Sequence, residues 1–313
     1  MATIITDLKE TFRRGNIYIQ LIYINVAVFI LTTLTEVMFQ LFNRSIAGVF
    51  EWLELPASVL RFILQPWSLL TYMFMHAGFM HILFNMLWLY WFGALFLSFF
   101  SAKHLRGVYI LGGICGGLLY MAAYNIFPYF RPMTDYSFML GASASVLAIV
   151  AATAYREPNY PIRLKPFGTT PLQKLFRAIR LLLFGTIRLK YLALIVIGTD
   201  LLFITSSNAG GHIAHLGGAL AGVWFAASLS KGSDLTSWIN KCLDTLVSIV
   251  SFKPRKPKMK VHYGTGKQKD YDYNARKKAQ SDEIDRILDK LKKSGYESLT
   301  TEEKKSLFDA SKR

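Results

Sequence analysis

The chain has 313 residues, of which 52% are apolar and 18% charged, against about 25% charged in an ordinary soluble domain. The formal net charge is +16, yet long stretches carry almost none of it, so the basic residues crowd into the segments between apolar runs. That pattern points to a polytopic membrane protein and excludes a collagen, a disulfide scaffold (only Cys115 and Cys242 are present) and a disordered chain, while the position of the charge beside apolar runs argues for membrane topology rather than nucleic-acid binding.

Six apolar segments, near 17–39, 79–100, 105–127, 139–155, 189–206 and 212–230, are read as spans of a bilayer that takes roughly 20 helical residues to cross. The first is too long for the apolar region of a signal peptide, and no small-residue cleavage site follows it. With a cytoplasmic N-terminus, the inner connectors before the tail hold thirteen Lys and Arg residues, from Lys9 to Lys190, and the outer ones hold three, Arg44, Arg61 and Arg131. This bias follows the positive-inside rule and returns the C-terminus to the cytoplasm. The expected location is a cell membrane, most simply a bacterial inner membrane.

The outer connector 40–66 is too apolar for water (Phe50, Trp52, Leu55, Leu60, Ile63), and is expected to lie in the interface as amphipathic turns. The inner connector 156–190 reads as a second interfacial helix, with Leu172, Leu175, Phe176, Ile179, Leu182 and Leu183 at helical spacing. The membrane domain is thus 1–231. An amphipathic juxtamembrane helix is expected over 232–252, with a stripe of Trp238, Ile239, Leu243 and Leu246. A basic flexible linker follows over 253–280, and a small helical hairpin over 281–313, in which Ser281 caps the first helix and Gly295 stops it. The run Lys253, Arg255, Lys256, Lys258 and Lys260 is a candidate for anionic lipid, at about 1 kcal/mol per charge near the surface.

Polar side chains in hydrocarbon are costly and are functional candidates by default. His76, His81 and Asn85 stand near the start of the second span, Ser143 and Ser145 near the start of the fourth, and His212 and His215 near the start of the sixth. These three spans run from outside to inside, so the groups share one level in the outer half of the bilayer and imply a common polar cavity. Ser143 lies in Gly141-Ala142-Ser143-Ala144-Ser145, beside the free N–H groups of a helix start. Taken alone it reads first as a packing serine. Gly218 and Gly222 let the sixth span approach another backbone closely; if that neighbour is the fourth span, His215 can take the Ser143 proton. His81 and Asn85 share a helix face and can donate to an oxyanion, and His76 is expected to tie down the helix entrance. No HExxH occurs, and Asp200, in the fifth span, is a candidate ligand or a structural acid; no metal or cofactor is expected. Gly112, Gly113, Gly116 and Gly117 in the third span read as tight helix packing.

His76-x4-His81-x3-Asn85, then Gly141-x-Ser143, then Ala214-His215-x2-Gly218-x3-Gly222, preceded by Pro66-Trp67, resemble the rhomboid family of intramembrane serine proteases over roughly residues 15–230. The resemblance implies an all-α, six-span bundle with Ser143 as nucleophile and His215 as general base. It implies that His81, Asn85 and the Ser143 N–H hold the oxyanion, and that single-span membrane proteins are the substrates. Ala144 stands where many bacterial relatives have Gly, and Leu147 where some carry an aromatic ring, so packing around His215 is expected to differ. His212, Asn208 and tyrosines remain candidates for assisting the pair. The alternative function is a non-catalytic member that binds or escorts membrane clients. A transporter with a histidine relay would need polar groups at the midplane and inner half, where the sequence offers few.

Overall fold

A computed structural model describes residue 12 and residues 15–162, 187–250 and 266–311. Two units are distinguished, Met1–Ser251 and Phe252–Arg313. Among the described residues the regular structure of the first unit is helical apart from one two-stranded ribbon and an isolated bridge between Pro161 and Arg188. Its elements are α1 (Ile17–Leu41), α2 (Ala47–Glu51), β1 (Leu55–Pro56), α3 (Val59–Leu64), α4 (Ser68–Thr71), α5 (Phe79–Phe96), α6 (Ala102–Ile126), β2 (Phe138–Met139), α7 (Ser143–Arg156), α8 (Leu189–Leu202), α9 (Ala209–Ser230) and α10 (Ser237–Val250). The expected interfacial helix between the fourth and fifth spans falls on residues outside those described.

α1, α5, α6 and α9 are long and apolar enough to cross a membrane. α7 and α8 have 14 residues each, about 21 Å of helix, so two of the six expected spans fall short of the roughly 30 Å hydrocarbon thickness. The reading of 139–155 as span was also too early at its start: Phe138–Met139 is strand and Gly141 turns with φ +133°, so the helix begins at Ser143. The second span ends at Phe96 rather than near 100, because Ser101 already caps α6 by accepting from the His104 N–H.

The bundle is organised around small residues. α7 buries every residue from Ala144 to Ala154 and is enclosed by α6 and α9. A Cβ on Gly218 or Gly222 of α9 would run into the carbonyl oxygen of Ala144 or Ala148 on α7. From α6, Gly112 faces Ala148, and Gly116 faces both Ala144 and the Ala214 carbonyl. Backbones meet where side chains would otherwise intervene, which is how helices gain contact in a solvent that offers no hydrophobic drive. The periphery is the reverse. α1 exposes Ile30, Leu31, Leu34 and Met38 and buries Leu21 and Asn25. The Asn25 amide donates to Tyr109 Oη at 3.2 Å, and Tyr109 Oη donates to the Met73 carbonyl at 3.0 Å, a polar tie that fixes α1 against α6.

The connector between α1 and α5 presents Val49, Trp52, Val59, Leu60, Ile63 and Leu64 outward. Its inner side is pinned by polar bonds. Gln65 Nε2 donates to the Glu51 and Glu54 carbonyls, Thr71 Oγ1 to Leu53, and Trp67 Nε1 to Trp52, whose ring stacks on it at 5.8 Å. β1 then pairs antiparallel with β2, Leu55 opposite Met139 and Pro56 opposite Phe138.

α10 docks on the start of α6. Arg106 donates to Asn240 Oδ1 at 2.9 Å and to Asp244 Oδ1 at 2.8 Å, while Trp238, Leu246 and Ile249 stay exposed. In the second unit, α11 (Gly266–Ser294) and α12 (Thr301–Ser311) form a hairpin around buried Ile287 and Leu299. The flexible linker expected up to residue 280 is corrected here: residues 266–280 are the first half of α11, and Ser281 lies inside it rather than at its cap. Ala275, Arg276, Lys277, Lys278, Ala279 and Gln280 are good helix formers, and Asp272 and Arg276 stand at favourable i, i+4 spacing, so charge alone did not make this stretch a coil. Thr300 and Glu303 cap α12 reciprocally, and Lys290 donates to Glu303 at 2.9 Å, which together hold the Glu303 carboxyl below its usual range.

Candidate active site

The N-terminal ends of α5, α7 and α9 meet at one end of the bundle and surround a cavity of about 830 Å3. His81 and Asn85 reach it from α5, Ser143 from α7 and His215 from α9; Tyr120 and Tyr124 of α6, with Tyr136, Ser137 and Asn208 of the connections, complete a partly polar wall. The four principal residues, separated by as many as 134 positions in the chain, thus face one volume.

Local geometry decides what each can do. Ser143 is the first residue of α7, where backbone N–H groups have no partner inside the helix and the dipole is positive. The turn that delivers it is held from behind, since the Gly141 N–H donates to the Tyr72 carbonyl at 2.9 Å and the Ala57 N–H to Ser137 at 2.9 Å. A Cβ on Gly141 would stand 2.9 Å from His81 Cε1 and 3.7 Å from Ser143 Oγ, so the absence of a side chain leaves the space between ring and hydroxyl open. His81 Nδ1 accepts from the Ala77 N–H at 3.3 Å. The neutral ring therefore carries its proton on Nε2, the nitrogen nearer Gly141. Asn85 donates one amide hydrogen to the His81 carbonyl at 2.8 Å and keeps a second. Both are neutral donors in the serine's surroundings.

Asp200, on α8, is 4% exposed. Its Oδ1 lies 2.9 Å from His215 Nδ1 and 2.8 Å from His212 Nδ1. An ionised carboxylate only accepts, so both imidazoles donate from Nδ1, and the His215 lone pair is left on Nε2. The sequence left Asp200 between ligand and structural acid; which helix face it occupies against α9 is a matter of rotation that spacing alone does not give.

Two other residues lie outside the cavity wall. His76 is buried with its ring edge-on to His81, centroids 5.1 Å apart, and Ser145 is fully buried towards α6. Gly218 and Gly222 form the seam that brings α9, and with it His215, against α7.

Asp200, His212 and His215 each offer one metal-ligand atom within 4.8 Å of the others. Two ligands on one ion, each about 2.1 Å from it in tetrahedral geometry, sit about 3.4 Å apart. The observed 2.8 and 2.9 Å separations are hydrogen-bond distances.

Comparison with known proteins bears on the family. A family model described as "Rhomboid domain" matches residues 64–232, and one described as "Family of unknown function (DUF6576)" matches residues 267–313. The chain is 28% identical over 174 residues to the RHOMBOID-like protein 12, mitochondrial, of Arabidopsis thaliana, covering 53% of this chain and 47% of the relative, so it spans about half that relative's length. The first match takes in more than half of the 313 residues, from the approach to α4 through the end of α9, and so the chain is a multi-pass membrane protein that belongs to the rhomboid family.

Proposed function

We propose that the protein is an intramembrane serine endopeptidase that cleaves single-span membrane proteins in or near their transmembrane segment. The observation that carries this reading is the shared cavity: a helix-start serine, a histidine with its Nε2 lone pair free, and two neutral hydrogen-bond donors face one cavity of about 830 Å3 inside an apolar bundle, room for water and an unwound segment of substrate. In the reaction, Ser143 Oγ attacks the scissile carbonyl carbon as its proton passes to His215 Nε2. The oxyanion is held by the Ser143 N–H, His81 Nε2–H and Asn85 Nδ2–H. The C–N bond then breaks, the amine leaves with the proton from His215, and a water activated by the same imidazole frees Ser143 from the acyl group. A substrate helix has its carbonyls bonded internally and must unwind before attack, which favours segments of weak helix propensity.

We assign the cavity end to the outer side of the membrane and both termini to the cytoplasm; the basic run 253–260, a candidate for anionic lipid, lies outside the described residues. The test is cleavage of a single-span model protein by the full chain in liposomes. Ser143→Ala is expected to abolish it; undiminished cleavage overturns the assignment. A wild-type chain that binds the model protein yet neither cuts it nor takes up a fluorophosphonate probe would instead support the client-binding alternative.

A further inference from the structure

Rhomboid-like catalysis by serine and histidine leaves open what fixes the histidine. We propose that Asp200 is the positioning acid for His215, so that the site works as Ser143–His215–Asp200 with His212 as the second anchor of the carboxylate. The proposal deepens the protease reading above and rests on it.

The argument starts from cost. A carboxylate buried in the bundle is expensive and is retained where it has a partner. α8 otherwise buries only Leu189 and Ala193, so helix packing does not call for an acid at this position. All of the acid's bonding is aimed at α9: Oδ1 takes both imidazoles, at 2.8 and 2.9 Å, and Oδ2 is buried with no protein partner. His212 and His215 are one helical turn apart, so a single oxygen on the facing helix serves both rings. The bond to His215 performs two tasks. It selects the Nδ1–H tautomer, which leaves Nε2 as the base for Ser143 across the shared cavity, and it places a negative charge next to the imidazolium that forms when Nε2 takes the serine proton. The Asp200 carboxylate gains no proton in this step; the proton stays on the ring until the leaving amine takes it.

The test compares wild type, Asp200→Asn and Asp200→Glu as full chains in liposomes, with Ser143→Ala as the zero. Asp200→Asn is expected to lower kcat by about 10²-fold or more with little change in KM, and Asp200→Glu to recover part of the loss. In chains carrying 15N-histidine, His215 is expected as the Nδ1–H tautomer in wild type and to lose that tautomer in Asp200→Asn. An unchanged kcat, a fall matched by loss of folded protein, an Nε2–H tautomer in wild type, or inhibition of wild type by a chelator would each overturn the proposal. If no chain cleaves at all, the protease reading falls, and the tautomer alone decides whether Asp200 orients His215.

Discussion

α7 and α8 are both 14 residues long, and each brings a polar group, Ser143 or Asp200, to the same end of the bundle by opposite means. α7 is fixed by shape. Its flanks are alanines set against the glycines of α6 and α9, and the serine's position follows from where those backbones touch. α8 buries little and exposes Tyr191, Leu194, Ile195 and Leu201, so what defines its rotation is the pair of hydrogen bonds at Asp200. In a bilayer, close packing and buried polar bonds are two sources of helix association, and this site uses one to place Ser143 and the other to place Asp200.

The contrast can be tested most severely at the seam. Gly218→Val puts a branched side chain into the Ala144 carbonyl, and backbone cannot step aside as a side-chain tip can. Stability is expected to fall by about 3 kcal/mol or more, read as a large drop in the melting temperature of detergent-solubilised protein. Survival of the fold with unchanged melting would mean that α7 is not held by shape. Gly141→Ala probes the same principle one step closer to chemistry. The φ of +133° and the 2.9 Å approach to His81 predict displacement of the ring or the hydroxyl, and a loss of about 10²-fold in cleavage rate with the fold kept. Equal cleavage by the variant would show that the gap between His81 and Ser143 is not needed. The smallest effect is expected on the polar side. Asp200→Leu leaves two Nδ1–H groups without their acceptor and should destabilise by about 1–3 kcal/mol in the same melting measurement, with α7 unaffected by amide hydrogen exchange. A fall as large as that of Gly218→Val would erase the distinction between the two helices.

The glycine seams of α6 and α9 were legible in the sequence because small residues at spacing four have one economical use between membrane helices. The shared level of Ser143, His215, His81 and Asn85 followed from span direction and distance to the span start, and their common cavity is where those starts meet. What linear order did not carry was rotation. Asp200 reaches His215 only because α8 turns one face to α9, and a helix with apolar residues all round gives no periodic signal of which face that is. Asn25 was invisible for the same reason: one polar residue in α1 whose partner, Tyr109, is 84 positions away. Nor did composition reveal α11 over 266–280, where a dense run of charge masked good helix formers.

The ribbon of β1 and β2 changes what the outer connector is. Two residue pairs, Leu55 with Met139 and Pro56 with Phe138, clip it to the strand that ends two residues before Gly141. Four residues beyond Met139 comes Ser143 itself. Leu60 and Ile63, exposed on that same connector, are thus tied through a two-pair ribbon to the turn that delivers the hydroxyl. What looks like surface trim is part of the frame that sets where Ser143 stands.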